Sequence, residues 1–172
     1  MTAPVGEAAI RALYGDPRQF IRDDGTLSPI WEARMTVVQF PQPLPLGWER
    51  SKFAKGARVN QAIAAEVDTA CRLLAKEGLW PRLRTFDGAY AFRAQRGSST
   101  KTSMHSFGAA LDFNAETNQL GTPGDMDLGV IQIFEGCGWT WGGRWKRKDG
   151  MHFSLAPATS QVAGPDGEEA VC

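Results

Sequence analysis

The chain has 172 residues, 42% of them hydrophobic and 22% charged, which suits one domain able to bury its own core without disulfide staples. Its 19 Lys and Arg balance 19 Asp and Glu, for a formal net charge of +0, and this argues against a nucleic-acid binder working by phosphate attraction. No apolar run approaches the ~18 residues of a membrane span, and the three cysteines, Cys71, Cys137 and Cys172, have no framework spacing.

The opening residues, MTAPVGEAAIRALYG, lack a basic stretch followed by an apolar one, so no secretory signal is expected. The cysteines fit synthesis in a reducing cytosol. A short helix is expected from Glu7 to Leu13. Residues 1–50 otherwise hold six of the ten prolines, and Pro41, Pro43 and Pro45 alternate in FPQPLPLGW. Alternating prolines favour an extended, polyproline-like path. With Tyr14, Phe20, Trp31, Phe40 and Trp48 nearby, this segment reads as an arm laid across the core.

Residues 59–77 predict a helix, because Ile63, Val67, Ala70, Cys71 and Leu74 recur at spacings of three and four. Asn60 is its candidate N-cap and Gly78 its stop, while Cys71 reads as a small core hydrophobe. LWPRLRTF alternates and predicts a strand, with GAALDFN and GMHFSLA as further strands. Between the last two, Leu128, Ile131 and Phe134 predict a helix from Asp127 to Phe134, stopped by Gly136 and Gly138. Residues 157–172 are small, polar and turn-rich and read as a mobile tail. The expected fold class is α+β, a small, mainly antiparallel sheet flanked by helices, within one domain over residues 1–156.

Only two histidines occur, His105 and His152, each close to an aspartate: Asp112 seven residues after the first, and Asp149 three before the second. Two imidazoles and a carboxylate can bind a catalytic zinc whose fourth position holds water, with the second carboxylate as a base. On an unbroken strand His105 and Asp112 would face opposite sides, so they converge only if the chain turns, and Gly108 is the place for that. Leu111 and Phe113 should point into the core and leave Asp112 on the other face. The competing readings are bland: packed histidines, Asp112 as a turn cap, and Asp149 in KRKDG as a hydrated turn residue.

The motifs resolve in favour of metal chemistry through a resemblance. SMHSFGAALDF resembles the SxHxxGxAxD signature of LAS-type zinc peptidases, the group of D-alanyl-D-alanine peptidases and phage L-alanyl-D-glutamate endopeptidases. GWTWGGRWKRKDGMHF resembles their second block, and GAYAFRAQRGSS their Y-x-x-R segment. The resemblance covers residues 80–155. It implies a Hedgehog/DD-peptidase-like fold, with His105, Asp112 and His152 as zinc ligands and Asp149 as general base. It also implies Arg93 facing the scissile carbonyl or a substrate carboxylate, and Ser103 orienting substrate or a ligand. Tyr90, which opens the Y-x-x-R segment, and Trp145, as a groove wall, are the further substrate-binding candidates.

The function so implied is hydrolysis of peptidoglycan stem peptides by a zinc enzyme, at the L-Ala–D-Glu bond or, alternatively, by removal of terminal D-Ala. A monomeric endolysin, made in a host cytoplasm and acting on the wall after release or from a virion, fits the missing signal peptide, and neither nucleic acid nor membrane insertion is expected. A catalytically silent zinc-binding tail module and a Cys137–His152 cysteine peptidase are the other classes. The last suffers from the placement of Cys137 at a helix C-terminus, which disfavours a thiolate. Trp139 and Trp141 read as core, with a sugar-stacking platform as the alternative, and Glu135 as the polar face of the short helix. The run Arg144, Lys146, Arg147, Lys148 reads as a solvated loop or as an attraction for anionic stem peptides that also keeps Asp149 ionised.

Overall fold

A computed structural model describes residues 7–93, 102–122 and 124–155. The elements are α1 (Glu7–Tyr14), α2 (Pro29–Glu32), β1 (Met35–Leu46), β2 (Glu49–Asn60), α3 (Ala64–Lys76), β3 (Phe86–Gly88), β4 (Ala110–Phe113), α4 (Leu128–Gly136), β5 (Thr140–Trp141) and β6 (His152–Ser154), with short 3-10 turns between them. The strands form one six-stranded sheet in the order β2-β1-β3-β4-β6-β5. All neighbours are antiparallel except β1 and β3. The α+β expectation holds, with a sheet that is mainly antiparallel and parallel only at the β1–β3 contact among the described residues.

The Pro-rich segment is a strand, not a polyproline arm. β1 and β2 make a long hairpin, in register from Met35↔Asn60 to Gln39↔Gly56 and again at Leu44↔Ala54 and Pro45↔Phe53. The register shifts between Gln39 and Leu44, the stretch that contains Pro41 and Pro43. Proline has no N–H to give to a ladder, so it is tolerated where pairing is interrupted. Among the described residues the other edge of β1 meets β3 only at Leu46↔Phe86, which leaves few ladder bonds for the prolines to break. The strand expected in LWPRLRTF also lies elsewhere: Trp80–Arg82 is a 3-10 turn, and the strand begins at Phe86. Pro81 fits the start of a helical turn, where its missing N–H costs nothing.

The helices follow the sequence closely. Asn60 ends β2 and caps the 3-10 turn Gln61–Ile63 by accepting from Ala62 N, and α3 continues from there. Its apolar stripe of Val67, Ala70, Cys71 and Leu74 is buried, and α3 packs on β1 and α4. Asp127 caps α4, its carboxylate accepting from Gly129 N and Val130 N, and the helix runs on through Gly136 to Cys137 at its C-cap.

An aromatic chain ties these layers together under the short strands. Phe40 meets Phe86 (5.2 Å between centroids), Phe86 meets Phe113 (5.8 Å), Phe113 meets Phe134 (6.0 Å), and Phe134 stacks on Phe153 (4.3 Å). Such pairs contribute about 0.5–1.5 kcal/mol each beyond area burial. Phe113 and Phe153 belong to β4 and β6, so this packing fixes the two strands from below. One buried hydrophobic cluster runs from Ile10 to Leu155, and the N-terminal helix joins it through Tyr14, whose hydroxyl donates to Leu155 O (3.1 Å). No helix among the described residues is long and apolar enough to cross a membrane.

Candidate metal centre and active site

His105 sits in a single 3-10 turn, Met104–Phe107. Ser103 caps the turn, its Oγ accepting from His105 N at 3.4 Å. Gly108 ends it in the left-handed region at φ 66. A Cβ there would lie 2.7 Å from Met35 Sδ and 2.8 Å from Asn60 N, so the turn requires glycine for both conformation and space. Asn60 anchors the same turn from the hairpin: its N–H donates to Gly108 O (2.9 Å) and its Nδ2 to Phe107 O (3.1 Å). The bend at Gly108 expected from the H-x6-D spacing is therefore present.

Asp112 and His152 face each other across the ladder of β4 and β6. Leu111 and Phe113 are fully buried, as their flanking positions predict, and the Asp112 carboxylate lies between the two imidazoles. His152 Nδ1 is 2.9 Å from Asp112 Oδ1, His105 Nε2 is 3.1 Å from Asp112 Oδ2, and the two ring nitrogens are 3.2 Å apart. Burial opposes ionisation of Asp112, but the charges and hydrogen bonds of His105 and His152 outweigh it and hold the carboxyl well below its usual range.

The donor set fits a zinc ion. Each of the three residues offers one ligand atom, and these atoms lie within 4.8 Å of one another. Three donors at about 2.0–2.1 Å from a tetrahedral centre would be about 3.3 Å apart, close to the separations above. His105 Nδ1 is committed to the Ala89 carbonyl, which sets the tautomer and leaves Nε2 with its lone pair directed at the centre. Two ring nitrogens facing each other at 3.2 Å also need a cation or a proton between them.

Asp149 lies in a tight turn joined through the backbone to His152. Its N–H donates to Gly142 O (2.9 Å), and its own carbonyl accepts from His152 N (3.0 Å). Gly142 packs beneath both residues: a Cβ there would lie 2.5 Å from Asp149 O, 3.1 Å from Asp149 Cβ and 3.3 Å from His152 Cβ. The first glycine of the WGG segment is thus a spacer for the site. Asp149 Oδ1 is shielded from solvent.

Trp145 is half-buried with its ring 5.3 Å from that of His152, consistent with a wall beside the centre. Trp139 is core, and Trp141 is half-buried with Nε1 donating to Gly150 O (2.8 Å). The basic run divides. Arg144 forms a two-point ion pair with Glu135 (2.6 and 2.8 Å), and Lys148 Nζ donates to Gly143 O. Glu135 therefore holds the loop as well as lying on the polar face of α4.

Arg93 is docked by its backbone, its N–H donating to Ser106 Oγ (2.8 Å) and its carbonyl accepting from Ser103 N (3.2 Å), so it lies beside the His105 turn. The Tyr90 hydroxyl donates to Glu32 Oε1 (2.7 Å), and Arg58 lies 5.0 Å over its ring while pairing with Glu32. Burial, then the Glu32 hydrogen bond, raise the Tyr90 pKa. The rest of the GAYAFRAQRGSS segment beyond Arg93, like the 157–172 tail, falls outside the described residues.

Comparison with known proteins adds to this geometry. The family model described as D-alanyl-D-alanine carboxypeptidase matches residues 96–155, a stretch that contains His105, Asp112, Asp149 and His152. The peptidoglycan L-alanyl-D-glutamate endopeptidase CwlK of Bacillus subtilis (strain 168) is 26% identical over 143 residues, covering 74% of this chain and 83% of that protein. Both matches support the resemblance to LAS-type peptidases. No solved structure matches the chain. Two features of this site escaped the sequence: the Ala89 carbonyl, a backbone group with no residue-type signal, and the spacer role of Gly142, which the paired glycines of WGG could have suggested.

Proposed function

We propose that this peptidase is a zinc enzyme that hydrolyses peptidoglycan stem peptides at the L-alanyl–D-glutamyl bond, as a single domain acting at the cell wall. The observation that carries the reading is the buried His105–Asp112–His152 donor triangle with the Asp149 turn joined to it through His152 N. The substrate class and bond come from the names of its relatives, and CwlK aligns over most of both chains. The match to a D-alanyl-D-alanine carboxypeptidase family favours a second reading, removal of terminal D-Ala by the same centre.

Zinc held by His105, Asp112 and His152 would supply Lewis acidity, lowering the pKa of water towards ~7 and polarising a carbonyl. Asp149 takes the proton from the attacking water and later gives it to the leaving amine. Ser103 and the Ala89 carbonyl keep His105 in one orientation and one tautomer. Arg93 stands beside that turn, and its guanidinium suits a developing oxyanion or a substrate carboxylate, because it is always charged and can bind by two parallel bonds. Trp145 closes the side of the centre at His152 and keeps bulk water from that imidazole.

Mass spectrometry of purified peptidoglycan digested with the zinc-loaded protein, with Asp149→Ala as the control, tests the reading. A new N-terminal D-Glu that is lost with the variant supports the endopeptidase. Loss of terminal D-Ala instead selects the second reading, and an unchanged digest from the unaltered protein removes both.

A further inference from the structure

The Asp149 turn is held from outside by a segment that none of the motifs includes. Gly121 N donates to Lys148 O (2.7 Å), and Met151 N donates to Asn118 O (3.1 Å). The residues on either side of Asp149–Gly150 are thereby pinned to the four-residue stretch Asn118–Gly121. Met151 O in turn accepts from Phe113 N (3.0 Å), next to Asp112, so the same contact joins the base to the ligand strand.

Asn118 is the fixed point of that stretch. It has no exposed surface, although it lies in a polar loop, NAETNQ, where an asparagine would ordinarily be solvated. Its amide is fully engaged. Nδ2 donates to Asn114 O (3.1 Å), Thr117 Oγ1 (3.1 Å) and Asp125 Oδ1 (2.8 Å), and Oδ1 accepts from Asp125 N and Met126 N, both at 2.9 Å. Asn114 completes the frame from β4. It adopts a left-handed φ of 55 immediately after Phe113, and its Oδ1 accepts from Arg84 N and Thr85 N. A side-chain amide used at both ends locks the loop in one arrangement.

We propose that Asn118 is a positioning residue for Asp149: it fixes the 118–121 stretch, and that stretch sets where the carboxylate stands relative to the donor triangle. The proposal rests on the reading of Asp149 as the proton-transferring base. A misplacement of about 1 Å can cost about a hundredfold in rate, so the effect is on turnover rather than on substrate affinity.

A double-mutant cycle on the zinc-loaded protein with a soluble stem-peptide substrate decides it. Asn118→Ala should lower kcat 10- to 100-fold with KM within twofold and with one equivalent of zinc retained. Added to Asp149→Ala, the same change should lower kcat by less than twofold, because the group being positioned is gone. Asn118→Asp, which keeps the acceptor for Asp125 N and Met126 N, supplies the same cycle if the alanine variant does not fold. An equal loss with and without Asp149, or an unchanged kcat in Asn118→Ala, overturns the positioning role. An unchanged kcat in Asp149→Ala alone overturns the assignment of the base itself, and with it this proposal.

Discussion

Strands β1 and β2 run twelve residues each and leave most of one side in solvent, whereas β4 and β6 run four and three residues and are buried throughout. The hairpin is held by its own ladder, and its outward residues Val37 and Phe53 and the turn residue Trp48 are more than half exposed. The β4–β6 pair has three register positions, far too few to persist alone. It is held by the rings of Phe113, Phe134 and Phe153 below and by the Asn60 and Asn118 contacts at its flanks. The difference shows where rigidity is needed: three donor atoms about 3 Å apart require strands that cannot shift, so the packing lies under the shortest elements.

The comparison is broken most directly at the ligands. His105→Ala should reduce hydrolysis about a thousandfold or more, a loss of about 4 kcal/mol in transition-state stabilisation. A variant that keeps near-normal turnover in metal-depleted buffer contradicts the site.

Gly108 is where the two regions touch, since a Cβ there meets Met35 and Asn60 of the hairpin. Gly108→Ala should destabilise the protein by about 2–4 kcal/mol, from the left-handed backbone and the backbone clash together. Urea unfolding reads this directly, and zinc affinity should fall with it, because the His105 turn has to move. A loss under about 0.5 kcal/mol would mean that the two regions are not coupled there.

The smallest effect separates stability from the site. Burial, with a contribution from Asp68, pushes the Cys71 thiol on α3 up to about 12. The neutral thiol is thus favoured in the folded state. Stability is complete below the unfolded thiol pKa of about 8.5 and is lost as pH rises from there towards the folded value, by about 1–2 kcal/mol at pH 10. Denaturant unfolding from pH 7.5 to 10 should show this slope, and Cys71→Ala should flatten it. An equal slope in the variant rules Cys71 out as the source.

What the sequence made legible follows the same division. The site strands, both principal helices and the bend at Gly108 were readable, because each is specified by a few adjacent residues: Leu111 and Phe113 around Asp112, the 3–4 stripe of α3, and Asp127 as a cap. The hairpin was not. Pro41, Pro43 and Pro45 signal an extended backbone without saying whether it pairs, and β2, ERSKFAKGARVN, lacks apolar alternation over its first two thirds because Glu49 to Gly56 are exposed or half-buried on both faces. β3 lay beyond the alternation that suggested it, since Pro81 starts a helical turn. Asn118 left no signal, because a buried asparagine and a solvated one in NAETNQ look the same until Asp125, Met126 and Met151 fold around it.

The most direct measurement is a calorimetric zinc titration of the metal-free protein alongside His105→Ala, Asp112→Ala and His152→Ala. One equivalent bound by the unaltered chain, with binding lost or weakened at least a hundredfold in each variant, is the predicted result. Binding of equal strength in any of the three, or none in the unaltered chain, would contradict the assignment of this triangle as the metal centre.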